Sequence, residues 1–218
     1  MAGEIRSLML EGPAGRLEAL LNAGEATATH AALVCHPHPM FGGTMHNKVV
    51  YNAMKSLSKF GFPVLRFNFR GAGLSEGAHD EGRGEVGDVQ AALDHLANEY
   101  KLPIIFTGFS FGAAVGLRAA CQDERVVGMI SLGTPVAVNG RSYTYEFLRE
   151  CQRPKLFVSG GNDEYSTEQD LRAAYENVAE PKRLVIVPGA DHFFLKQLPQ
   201  MQEAIESWVR EHFVGSPA

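Results

Sequence analysis

Ile104-Ile105-Phe106-Thr107-Gly108-Phe109-Ser110-Phe111-Gly112 is the stretch from which the architecture of this chain can be worked out. A β-rich run, Ile104 to Thr107, leads directly into Gly108, and Phe111 to Cys121, rich in Ala and Gly, reads as a helix. A chain that passes from strand to helix within about two residues holds the middle residue, Ser110, in a strained backbone conformation. Bulky side chains two positions either side of it would collide, and Gly108 and Gly112 remove that obstacle. The hydroxyl is then exposed above the sheet, at the positive end of the following helix, where an oxyanion is favoured. A five-residue G-x-S-x-G match is common by chance, and the strand before and helix after it are what make this one specific.

Outward from the elbow, short apolar runs alternate with helical patterns, which predicts an α/β fold with a mostly parallel sheet and helices on both faces. Ile5 to Leu10 and Leu17 to Leu21 flank the turn Gly12-Pro13-Ala14-Gly15 and read as an antiparallel N-terminal hairpin at the sheet edge. Further strands are expected at Ala31 to Cys35, Pro63 to Phe67, Val126 to Leu132, Lys155 to Val158 and Leu184 to Val187. Helices fit Asn47 to Phe60 with Gly61 as the stop, Glu85 to Tyr100, Thr167 to Val178 and Lys196 to Phe213. No internal repeat or linker interrupts residues 1–218, which are read as one domain.

A serine hydroxyl is a weak nucleophile until a neighbouring base takes its proton, and a base working near neutral pH suggests histidine. Of the eight histidines, His192 lies in Val187-Pro188-Gly189-Ala190-Asp191-His192-Phe193-Phe194, between the last strand and the last helix. It should emerge on the same sheet edge as Ser110, where ligand and catalytic groups gather in open α/β sheets. Asp163 follows the strand from Lys155 through Ser159-Gly160-Gly161-Asn162 and should reach that edge too. Ser166-Thr167-Glu168-Gln169 supplies a capping box for the next helix, which leaves Asp163 without an obvious structural task. Glu164 and Asp191 are rival acids; Asp191 is adjacent to His192 and poorly placed for its far ring nitrogen.

His36-Pro37-His38-Pro39-Met40-Phe41-Gly42-Gly43-Thr44 follows the first buried strand, at the position that donates a second oxyanion N–H beside that of the residue after the serine, here Phe111. Pro37 and Pro39 have no N–H, so His38 is the candidate by elimination. His36, His38 and His46 can be imagined as metal ligands, but no carboxylate or cysteine at a recognised spacing accompanies them, and no metal or other cofactor is expected. Arg70-Gly71-Ala72-Gly73-Leu74-Ser75-Glu76-Gly77 lacks the lysine and spacing of a phosphate-binding loop and reads as a tight crossover loop. Phe41, Phe109, Phe111 and Phe193 could line an acyl pocket or belong to the core.

These residues together, His36 to Thr44, Asn47-Lys48, Arg70 to Gly73, Gly108 to Gly112, Asp163 and Asp191 to Phe194, resemble the α/β-hydrolase superfamily over nearly the whole chain, and most of all its small bacterial dienelactone-hydrolase-like members. The chain order Ser110, Asp163, His192 is the order of that superfamily. The resemblance implies a carboxylic-ester hydrolase with a Ser-Asp-His triad. Dienelactone hydrolases proper use a cysteine where this chain has Ser110, so dienelactone is not the expected substrate. Larger relatives insert a lid between the strands here ending near Leu132 and beginning near Lys155, where this chain has only Gly133 to Pro154, with one helix expected around Tyr145 to Cys151. An open, shallow site suits small or short acyl groups.

Composition narrows the classes. Hydrophobic residues make up 45% and charged residues 21%, with a formal net charge of −5 and no basic block, which disfavours nucleic acid or an anionic membrane as partner. Three cysteines form no paired framework, and Met1 to Arg6 lacks the regions of a signal peptide, so a cytoplasmic location is expected. The expected activity is a serine hydrolase that cleaves small-molecule esters through an acyl-enzyme. Thioester or peptide-bond hydrolysis by the same triad, and a binding module without turnover, are the alternatives; a homodimer is compatible with the sequence. No G-x-G-x-x-G follows the first strand, which argues against an oxidoreductase.

Overall fold

A computed structural model describes residues 4–138 and 141–215. Met1 to Gly3 of the expected leaderless start, and residues 139 and 140 of the expected lidless segment, lie outside the described residues. The elements in order are β1 (Ile5–Gly12), β2 (Gly15–Asn22), β3 (Ala31–Cys35), α1 (Lys48–Ser58), β4 (Val64–Phe67), α2 (Glu85–Tyr100), β5 (Ile104–Phe109) and α3 (Phe111–Gln122). After these come β6 (Val126–Leu132), the short pair β7 (Ala137–Val138) and β8 (Arg141–Ser142), then β9 (Lys155–Gly160), α4 (Glu168–Glu176), β10 (Lys182–Val187) and α5 (Leu198–Val209). No helix among the described residues is long and apolar enough to cross a membrane.

Eight strands form one sheet in the order β1-β2-β4-β3-β5-β6-β9-β10. The hairpin β1–β2 is antiparallel and stands at the edge, and β4, β3, β5, β6, β9 and β10 are mutually parallel. Their carboxyl ends therefore share one edge. The chain steps outward from β3 to β4, then returns past β3 to β5, so the strand order reverses between β3 and β5. The crevice at such a reversal is where open α/β sheets bind ligands.

The central strands are buried on both faces, and successive residues feed opposite layers. In β3, Ala31, Leu33 and Cys35 pack with the residues of α2 and α3, while Ala32 and Val34 pack with those of α1 and α5. Small residues on α3, including Ala113, Ala114, Ala119 and Ala120, let that helix lie close on the sheet. The last helix begins later than its periodicity suggests, because Phe194 and Lys196 have φ of 53° and 66° and cannot continue a helix. The helix expected at Tyr145 to Cys151 is one 3-10 turn, Glu146–Arg149. The cap of α4 is Thr167, whose hydroxyl accepts the Asp170 N–H, one residue later than the capping box read from the sequence.

Two buried polar anchors tie the loops at the carboxyl edge. The Arg70 guanidinium donates to both oxygens of Asp88 on α2, the shortest contact being 2.6 Å, and the Arg70 N–H adds a third donor to that carboxylate. The Asp88 side chain is fully buried, so each partner depends on the other for its desolvated charge. The second anchor is His36. Its Nε2 accepts the Phe69 N–H at 2.9 Å, and its Nδ1–H donates to the Pro37 carbonyl at 2.6 Å. The ring thereby joins the loop after β3 to the loop after β4. With both ring nitrogens used on backbone, His36 has none to offer a metal. Burial pushes this imidazole down from an ordinary 6.5 to about 4, which keeps it neutral.

Both anchors have measurable consequences. Asp88→Ala, which leaves the Arg70 charge buried and unpaired, is expected to lower stability by about 3 kcal/mol, read as a shift of the urea midpoint at constant slope. Because the folded His36 binds its proton less tightly than the unfolded one, its contribution is fully present above pH 6.5 and is lost as pH falls towards 4. Stability should therefore decline over that window with a His36 contribution approaching about 1.4 kcal/mol per pH unit. Denaturation curves of His36→Gln should show a flatter decline between those pH values.

Candidate active site

The elbow has the conformation its glycines foretell. Ser110 lies at φ 54° and ψ −120°, between the end of β5 and the first residue of α3. A methyl at Gly108 would stand 2.5 Å from the Gly112 carbonyl oxygen and the Ala113 Cα, so a side chain there is excluded by the turn itself. The reason at Gly112 is different. A methyl there would stand 2.4 Å from the His36 carbonyl oxygen, so Gly112 admits the close approach of the β3 exit to the start of α3.

The exits of β5, β9 and β10 converge. His192 Nε2 lies 3.0 Å from Ser110 Oγ, and His192 Nδ1 lies 3.0 and 2.9 Å from the two oxygens of Asp163. The carboxylate takes the Nδ1–H, which leaves the Nε2 lone pair facing the hydroxyl; this tautomer is assigned from the partners. Asp163 accepts two further hydrogen bonds, from the Tyr165 N–H at 2.9 Å and the Ser159 hydroxyl at 3.2 Å. These satisfy a carboxyl group that is fully buried beside an imidazole that is 3% exposed. The two loops can meet because Gly160 has no side chain: a methyl there would stand 2.2 Å from the Ala190 carbonyl oxygen. The rival Asp191 is occupied with its own turn, accepting the N–H groups of Phe193 and Leu195. Glu164 is exposed.

The imidazole is held on several sides. The Tyr165 ring meets it edge-on at 4.6 Å, and Phe109 lies against it at 5.0 Å. Phe109 is fully buried and absent from the cleft wall, so of the four candidate pocket aromatics it backs the His192 ring and does not line the cleft. A methyl at Gly133, where β6 ends, would stand 3.1 Å from His192 Cε1, so that glycine makes room for the ring.

The cleft beside Ser110 has a volume of about 280 Å³. Phe41, Phe111 and Phe193 line it, with Phe41 73% exposed at its lip. His38 lines it as well, its ring 4.7 Å from that of Phe111 and its Nδ1 accepting the Met40 N–H. This capping bond and the flanking prolines hold the loop that carries the His38 N–H. Pro135, Val138, Tyr143 and Tyr165 also line it and escaped the sequence reading. The only local hint for Tyr165 was an aromatic residue two places after the acid. Pro135 and Tyr143 sit in an irregular segment whose course no periodicity reveals.

Comparison with known proteins agrees with this architecture. The alpha/beta hydrolase domain family matches residues 31–211. An uncharacterized protein of Rickettsia prowazekii is 34% identical over 209 residues, covering 93% of this chain and 87% of its own length. An alpha-beta serine hydrolase homologue from Coxiella burnetii superposes with a TM-score of 0.85 at 34% identity, covering 95% of this chain and 97% of that one. A Xanthomonas campestris protein described as an a/b serine hydrolase without lid gives a TM-score of 0.87 at 34% identity, covering 100% and 99% of the two chains. With its eight-stranded sheet and N-terminal hairpin, this chain belongs to the alpha/beta hydrolase domain family, among its small lidless serine hydrolases.

Proposed function

We propose that this protein hydrolyses carboxylic esters of small or short acyl groups through an acyl-enzyme on Ser110. The observation that carries the reading is the continuous hydrogen-bonded line from Ser110 Oγ through the imidazole of His192 to the carboxylate of Asp163. In the first half-reaction, Oγ attacks the ester carbonyl while Nε2 takes its proton. The negative charge on the carbonyl oxygen is met by the backbone N–H groups of Phe111 and His38. His192 then gives the proton to the departing alcohol, leaving the acyl group on Ser110. Water, deprotonated by the same imidazole, releases the acid and restores the hydroxyl. Asp163 orients the ring and stabilises its cationic form.

A cleft of about 280 Å³ is at the small end for ligand sites, which favours short acyl chains. The lidless description of the Xanthomonas protein is in keeping with a site open to small substrates. Thioesters meet the same requirements and form the second reading.

Ser110→Ala is expected to lower kcat for p-nitrophenyl acetate by on the order of 10⁴ or more, with an unchanged circular dichroism spectrum. Asp163→Asn, which removes the carboxylate charge and replaces one of the two oxygens facing Nδ1 with an NH2 donor that favours the wrong imidazole tautomer, should lower it by on the order of 10⁴. A fluorophosphonate probe should label the wild type on Ser110 and leave Ser110→Ala unlabelled. A wild type that turns over no ester and resists the probe would be a binding module, and the catalytic reading would be wrong.

A further inference from the structure

A second cavity, of about 290 Å³, adjoins the cleft at Ser110, and Phe111 and Tyr143 form walls of both. It lies on the side away from the base: His192, Phe193 and Tyr165 line the first cavity and not the second. Ala114, Val115 and Arg118 of α3 form one wall of it. A leaving group must face the imidazole that protonates it, so a substituent directed into this second cavity belongs to the acyl half of the substrate.

Glu81, Arg83 and Arg118 are the charged residues among the described lining of this cavity. The Arg83 guanidinium is committed to Asp80 at 2.7 Å and Glu81 at 3.5 Å. Arg118 has no carboxylate partner among the described residues; its guanidinium carbon lies 5.3 Å from the centre of the Phe147 ring, which leaves its N–H donors for another acceptor. Arg118 stands seven residues after Phe111, the first residue of α3, which places its Cα about 10 Å along the axis from the helix start beside Ser110. Helical side chains lean back towards the N-terminus, in the direction of the serine. Phe111 and Val115, both nearly fully buried, supply apolar lining of the same cavity.

We infer that the second cavity receives the distal end of the acyl group and that Arg118 binds a carboxylate there, so that the substrates include half-esters of short dicarboxylic acids. The methylene spacer rests on Phe111 and Val115, and the planar guanidinium pairs with the terminal carboxylate. This inference rests on the hydrolase reading above and adds the substrate class to it.

The test compares kcat/KM for the mono-p-nitrophenyl ester of adipic acid with that for p-nitrophenyl hexanoate, in the wild type, Arg118→Gln and Arg118→Lys. The wild type is expected to prefer the charged ester by about fivefold at low ionic strength, and Arg118→Gln to lose that preference, mainly through KM. Arg118→Lys should retain part of it, and added salt should erode it in the wild type. A ratio of the two esters that is the same in wild type and Arg118→Gln, or a wild type that favours hexanoate, overturns the inference. Fluorophosphonate labelling in parallel separates the two levels. A labelled enzyme with a flat ratio overturns the carboxylate site alone, whereas an unlabelled, inactive wild type overturns the hydrolase reading and this inference with it.

Discussion

The backbone of Ser110 is held in a region that a residue with a side chain rarely occupies, and the geometry of the site depends on that constraint. Conformations of this kind cost on the order of 1–3 kcal/mol and persist only where the surroundings over-determine them. Here the surroundings are β5, buried along its whole length, and α3, whose first turns are buried against the sheet. The Ser110 N–H is bonded to the Leu132 carbonyl of β6, and its carbonyl accepts the N–H groups of Ala113 and Ala114. The strain is thus offset by packing on either side, and the hydroxyl is fixed before any substrate arrives.

A second requirement is that a carboxylate and an imidazole be buried together without leaving either unsatisfied. Asp163 meets it with four contacts from three partners, the two to Nδ1 and those from Tyr165 and Ser159. Burial raises the strength of these interactions and the penalty for losing any of them. The aromatic surfaces of Phe109 and Tyr165 on the imidazole restrict its orientation, so the Nε2 lone pair stays directed at the serine.

The loops of the carboxyl edge are not held by secondary structure, and buried polar bonds take its place. Arg70 and Asp88 anchor the loop after β4 to α2, and His36 joins that loop to the one carrying His38. Such bonds specify a single loop arrangement because each alternative would leave a buried donor or acceptor unpaired. The same sequence feature, an arginine at the head of a glycine-rich loop, could have suggested phosphate binding. In the folded protein its guanidinium is turned inward onto a carboxylate.

The sequence by itself determined most of the elements and the residues that meet at the candidate site. Strand and helix periodicity, the glycines around Ser110 and the positions of Asp163 and His192 just beyond strands are local features, and the placement of α2 and the hairpin follows from them. Tertiary structure alone decided what surrounds those residues. That Phe109 backs the imidazole while Phe41 lines the cleft, that Ser159 and Gly133 accommodate Asp163 and His192, and that Arg118 stands beside a second cavity all depend on contacts between loops and strands far apart in the chain. Periodicity says which face of an element a residue occupies, but the partner across that face is set by sheet order and by how loops from different strands pack. Those are properties of the assembled sheet, and no single stretch of residues records them.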